Sequence, residues 1–146
     1  MRFERYMFSW DMRDRCHTQI ARTFVFSTLM TRSIPHTIHA AFEVLAGAIL
    51  LAAPFLLGFG PAAAAVSIAL GALVIGFAFE LAGPARAIPL STHAAFDYLV
   101  ASVAAAAGVV IGIATGEWRA TIFLVGVGAA QAALTASTRW STPVGA

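Results

Sequence analysis

Apolar residues run through this chain in four long blocks, at about residues 37–59, 62–81, 92–114 and 120–136, with short polar or glycine- and proline-bearing breaks between them. Each block is close to the roughly 20 residues that carry a helix across a hydrocarbon core of about 30 Å. Backbone groups in lipid must be satisfied within their own segment, and none of the blocks shows the two-residue alternation of a barrel strand, so helices are expected. The fourth block is the shortest. The breaks then set the connectivity. "GFGP" (58–61) and "TGEW" (115–118) are short enough to join antiparallel neighbours, whereas "AGPARAIP" (82–89) is longer and carries Arg86. The pattern predicts an all-α membrane protein of four transmembrane helices, arranged as two helical hairpins.

Composition agrees: 60% of the 146 residues are hydrophobic, 11% are charged and the mean hydropathy is +0.83, against roughly a quarter charged in ordinary soluble domains. Most of the charge lies in the first 32 residues, where arginines alternate with Glu4, Asp11 and Asp14. Residues 1–32 are therefore read as a basic cytoplasmic arm or interfacial helix, residues 33–84 as the first hairpin, and residues 85–146 as the second hairpin with a short tail. For residues 1–30, an amphipathic surface helix, an arm for a partner and an upstream extension ahead of Met30 all remain open. They do not read as a signal peptide, since their longest apolar stretch, "TFVFSTLM", is short and lacks a small-residue cleavage site. No basic face with interleaved aromatics is present, which sets nucleic acid aside. The single cysteine, Cys16, excludes an internal disulfide or a cysteine cluster.

Arg32, Arg86 and Arg139 fall on one side of the predicted membrane and Arg119 on the other. The positive-inside rule then places both termini in the cytoplasm, with Trp118 and Trp140 at the interfaces. All nine basic residues are arginine, and alanine and glycine are abundant, a bias associated with GC-rich bacterial genomes. A multi-pass protein of the bacterial inner membrane is expected.

The chain also repeats itself. "IPHTIHAAFE" (34–43) returns 54 residues later as "IPLSTHAAFD" (88–97), with six of ten positions identical, Thr37 matching Ser91 and Glu43 matching Asp97. Further on, Leu45 matches Leu99 and Gly58 matches Gly112. Each unit holds two spans, so the second re-enters the membrane from the same side as the first. That makes parallel repeats related by an axis along the membrane normal, and a four-helix bundle with pseudo-two-fold symmetry.

Pro35 and Pro89 suit helix starts, and Thr37 and Ser91 are expected to cap the first turns. His39 and Glu43 are four apart, as are His93 and Asp97, so each pair shares one helix face. From Glu43 that face continues through Gly47, Leu50, Pro54 and Gly58; from Asp97 it continues through Ala101, Ala104, Gly108 and Gly112. Small residues allow close helix approach, so the acids should point inward at a seam where the first and third helices meet. Glu80, Arg32, Arg86 and Arg139 are candidate charge partners, Glu80 either joining the cluster or pairing with Arg86. Gln131 reads as an interhelical hydrogen-bonding residue, and His36 and His17 as interface or arm residues.

Four chemistries suit His39, Glu43, His93 and Asp97. One is a structural network pinning the hairpins together. A second is a divalent metal site, for which two imidazoles and two carboxylates are a sensible set in a bundle core. A third is haem with His39 and His93 as axial ligands. The fourth is a proton or ion route, although the outward halves of the helices offer no polar continuation. Soluble-enzyme motifs are absent: no Ser-His-Asp order, no phosphate-binding glycine loop with lysine and no H-E-x-x-H.

The unit "IPHTIHAAFEVLAGAILLAAPFLLGF" (34–59) resembles the SPW-repeat family of small bacterial membrane proteins, over about residues 34–140. The likeness rests on Pro35, His39, Glu43 and on Pro89, His93, Asp97. The signature triplet position holds Ala53, Pro54, Phe55 in one unit and Ala107, Gly108, Val109 in the other. The resemblance implies repeated membrane hairpins and no settled activity.

The sequence reading is thus a non-enzymatic integral membrane protein, a structural or accessory module without a cofactor, whose His/acid pairs form an intramembrane polar network. Its partners would be the lipid bilayer and a membrane protein or further copies of itself. A transport component acting as an oligomer ranks second, and a metal- or haem-binding protein third.

Overall fold

A computed structural model describes residues 33–83 and 87–140 of the protein. The chain divides into two units, Met1–Thr31 and Arg32–Ala146, and the described residues all belong to the second. The arm expected over residues 1–32 lies outside the described residues, as do His17, Arg32 and Arg86.

Among the described residues four helices follow one another: α1 (His36–Leu57), α2 (Pro61–Ala82), α3 (Leu90–Thr115) and α4 (Trp118–Ser137). All four are long and apolar enough to cross a membrane, α4 having the lowest mean hydropathy, 1.5. Many large apolar side chains are exposed, among them Phe55, Leu56, Ile113 and Ile122. The fold is a multi-pass helical bundle whose outer surface suits lipid.

α1 packs chiefly on α2, and α3 on α4; α2 lies against α3 and α1 against α4. α1 and α3 are therefore diagonal, which corrects the expected seam between them. The small residues of the acid-bearing faces instead serve the hairpins. A Cβ on Gly47 would stand 2.9 Å from the Gly71 carbonyl oxygen, and a Cβ on Gly71 would stand 2.9 Å from that of Gly47. The Gly108–Gly112 motif packs on Thr121 and Leu124 of α4. Neighbouring backbones pack through these glycines, while the acids reach across the diagonal with side chains.

The 54-residue repeat holds in the burial pattern. Gly47 and Ala101, Leu50 and Ala104, Pro54 and Gly108, Ser67 and Thr121, Leu70 and Leu124, and Val74 and Gly128 are all buried at corresponding positions. Both hairpin turns begin with a glycine in the left-handed region, Gly58 at φ 63° and Gly116 at φ 73°, which ends a helix without a Cβ clash. The turns share one end of the bundle, where the Gly60 N–H donates to Glu117 Oε2 (2.9 Å).

Pro54, inside α1, has no N–H to give the Leu50 carbonyl one turn back. Ser67 of α2 fills the gap, its hydroxyl donating to that oxygen at 2.7 Å. Thr121, at the matching position of α4, donates to the Gly108 carbonyl at 2.9 Å. Both hydroxyls are thereby consumed within their hairpins.

Candidate functional site

Both first turns are built alike. Pro35 and Pro89 occupy the N-cap positions in extended conformation, without a side-chain cap. Their carbonyls accept from His39 N–H and His93 N–H, both at 3.0 Å. Thr37 and Ser91 thus lie inside the first turn, because proline's fixed φ sets the helix start one or two residues earlier than a hydroxyl cap would. Glu43 and Asp97 are each the eighth helical residue, about 12 Å along the axis at 1.5 Å per residue.

The structure brings His39, Glu43, His93 and Asp97 to one point. All four are at most 1% exposed, and each offers a ligand atom within 4.8 Å of the others. His39 Nε2 lies 3.3 Å from Glu43 Oε1 and 3.2 Å from Asp97 Oδ2. His93 Nε2 lies 3.4 Å from Glu43 Oε2 and 3.5 Å from Asp97 Oδ1. Each carboxylate straddles the centre and presents one oxygen to each imidazole.

These distances do not describe a ring of strong hydrogen bonds. Charge-assisted N–H···O contacts run at about 2.7–2.9 Å, and one N–H cannot aim at two oxygens equally. Both Nε2 atoms and Glu43 Oε2 are buried without a hydrogen-bond partner. An ion bonded to nitrogen and oxygen at about 2.0–2.2 Å in tetrahedral geometry needs ligand atoms about 3.3–3.5 Å apart; each Nε2 has an oxygen of either acid at 3.2–3.5 Å, and one ligand atom from each of the four residues lies within 4.8 Å of the other three.

The outer contacts point the same way. Thr138 Oγ1 donates to the Leu134 carbonyl (2.7 Å), so its one proton is used and it accepts from His39 Nδ1 at 2.8 Å. His39, when neutral, therefore carries its proton on Nδ1 and turns the Nε2 lone pair to the centre. A metal-binding histidine commonly has its second nitrogen held by an outer acceptor, as Thr138 holds His39 Nδ1. His93 Nδ1 stands 4.0 Å from Glu80 Oε2, beyond hydrogen-bond distance, and neither atom has a hydrogen-bond partner. Gln131 Nε2 donates to Glu43 Oε1 (3.1 Å), and the Thr135 hydroxyl, donating to the Gln131 carbonyl, lies 3.5 Å from Asp97 Oδ2.

The candidate charge partners divide. Glu80 Oε1 accepts from the backbone N–H groups of Ala87 (2.7 Å) and Ile88 (2.8 Å), while its other oxygen turns to His93. Arg139 donates to the Ser33 carbonyl (3.2 Å), and among the described residues no arginine forms an ion pair with the four. The reason is geometric: the mouth of the bundle is filled by the segment after α4. There Ser33 and Ile34 N–H donate to the Ser137 carbonyl, Arg139 N–H donates to the Ile34 carbonyl, and Trp140 lies over both imidazoles.

Gln131 hydrogen-bonds between helices as the sequence suggested; Thr135 and Thr138 were not anticipated, and Trp140, expected at a membrane interface, was not expected beside the imidazoles. A signal existed: Gln131, Thr135 and Thr138 recur at helical spacing on one face of an otherwise apolar span. Comparison with protein-family models, curated proteins and solved structures finds no match to this chain.

Proposed function

We propose that this protein is a non-enzymatic integral membrane protein in which two imidazoles and two carboxylates clamp one divalent transition-metal ion, locking the two hairpins together. The observation that carries this reading is the pair of buried, unpartnered Nε2 atoms, each 3.2–3.5 Å from an oxygen of both acids. It joins the structural role preferred from sequence to the metal chemistry ranked third. Two carboxylates buried in an apolar bundle carry a desolvation cost of several kcal/mol each, and a divalent cation neutralises both at once. Imidazole with carboxylate suits zinc, iron(II) or manganese(II). Four protein ligands would fill a four-coordinate ion and leave no open position, which is the pattern of a structural rather than a catalytic site.

Transport finds less support. Beyond the site the interior is a continuous apolar core that includes Leu50, Leu70, Val74, Val100, Ile111 and Leu124. The void next to the centre, about 10 Å³, is at the lower limit for a single water. The arrangement of arginines supports a bacterial inner-membrane protein with cytoplasmic termini, and the SPW-repeat resemblance is kept as part of the proposal.

Elemental analysis of the detergent-purified protein tests the reading: one zinc, iron or manganese per chain is expected. Reloading with cobalt(II) should give the visible bands of a tetrahedral ion. Metal-free protein that takes up no ion would end the proposal, and a haem absorption band would replace it. Glu80→Gln, which removes the carboxylate charge 4.0 Å from His93 Nδ1, should lower affinity about 10–100-fold while stoichiometry at saturation is kept. Titration with a competing chelator measures this, and unchanged affinity would remove Glu80 from the outer shell.

A further inference from the structure

The centre is closed differently on its two sides. Towards the hairpin turns it meets apolar side chains packed around the small void lined by Leu50, Leu70, Val74, Val100 and Ala104. Of the described polar groups there, Gln131 lines the void and donates to Glu43, and Ser67 and Thr121 are spent on backbone carbonyls. A hydrated divalent ion has no path there without breaking the core. Towards the helix starts, among the described residues, a short strap, residues 138–140, lies over the centre, with Phe77 beside it at 5.8 Å between its ring centroid and that of His93. Its backbone is tied to the chain before α1 by an isolated bridge between Ile34 and Thr138. Arg139 N–H donates to the Ile34 carbonyl at 3.0 Å, and the Arg139 guanidinium donates to the Ser33 carbonyl.

Trp140 is the cover itself. Its ring centroid stands 4.9 Å from that of His39 and 5.7 Å from that of His93, and its Nε1–H donates to the Thr135 carbonyl at 3.0 Å. It is half-buried, whereas the imidazoles beneath it are at most 1% exposed. The strap has a second tie to the site, because Thr138 holds His39 Nδ1. Lifting the strap would uncover the ligands and free His39 to rotate in one movement.

We propose that the ion enters and leaves only past this strap, so that the site is a dead end opened from one face and Thr138 and Trp140 set its exchange rate. The inference rests on the metal reading above and adds the route and the gate. Local opening of a few hydrogen bonds at a chain segment is far less costly than opening a packed bundle core. The strap is therefore where exchange should start most readily and be easiest to alter.

The test uses the full chain, purified and loaded with zinc, with release followed after addition of excess EDTA. Trp140→Ala should release the ion about tenfold faster or more, whereas Trp140→Phe, which keeps a ring over the imidazoles, should stay within about threefold of the parent. Thr138→Val should also speed release, and Thr138→Ser should not. Equal rates for Trp140→Ala and the parent, at equal helicity and zinc content, would overturn the gate and leave the metal site standing. A parent chain that binds no zinc would sink both.

A sided measurement guards against variants that fail to fold. In vesicles holding the unaltered protein in one orientation, impermeant EDTA should strip zinc when added on the face bearing Arg139 and should fail from the other. Equal stripping from both faces would overturn the dead end.

Discussion

Exchanging both acids for their amides, Glu43→Gln with Asp97→Asn, should reverse the order of stability depending on whether metal is present. With zinc at a hundred times its dissociation constant, the unaltered protein should gain about 2.7 kcal/mol that the amide variant cannot, and should melt at the higher temperature. After chelation the order should invert. The unaltered chain then keeps two carboxylates at 1% exposure around a centre without a cation, whereas the amides carry no charge to desolvate. A polar network held by protonated histidines makes a different forecast, since the amides would then destabilise the protein whether or not metal is supplied. Melting curves in detergent with zinc and with EDTA decide between them. The metal reading fails if the variant is the less stable protein under both conditions, or if it still binds zinc stoichiometrically.

Gly128→Leu should cost more stability than most single changes outside the site and should empty the site as well. A Cβ at Gly128 would stand 2.6 Å from the Ala101 carbonyl oxygen and 3.2 Å from the Ala105 nitrogen. Both are backbone atoms of α3, so no side chain can swing aside. Overpacking of this kind costs about 1–3 kcal/mol when side chains can adjust, and rigid backbone puts the effect at the upper end. Because α3 and α4 must separate, Gln131, Thr135 and Thr138 move away from the acids and histidines they contact. Gly76→Ala and Gly126→Ala are the controls. Nothing stands within 4 Å of a Cβ at either position, and alanine in a helix gains up to about 1 kcal/mol over glycine. Thermal melts and metal content of the three variants give the comparison, and a Gly128→Leu protein as stable as the controls would contradict the close α3–α4 packing.

The helices were legible because their determinants are local. Block length against bilayer thickness, and glycine or proline at the breaks, located spans at about 37–59, 62–81, 92–114 and 120–136; the helices are His36–Leu57, Pro61–Ala82, Leu90–Thr115 and Trp118–Ser137. The four inner residues of the site were legible for a related reason. A repeated His and acid four apart, on a face lined by small residues, has few places to go in lipid except inward. The helix starts were misjudged by a residue or two because a capping hydroxyl was favoured over proline. The seam was misassigned because small residues on one face show that some neighbour comes close, and the order of helices around the bundle decides which.

The sequence by itself determined the four apolar crossings, their pairing into two hairpins, and the duplicated His and acid pairs, since each follows from spacing along one helix or from a short turn. Only the tertiary structure decided that α1 and α3 stand on a diagonal with their acids meeting across it. It also decided that Thr138 and Glu80 stand behind the two imidazoles and that Trp140 covers them. Those contacts join residues up to 101 positions apart, as between His39 and Trp140. They depend on how helices pack in three dimensions, which the periodicity of any one segment does not encode.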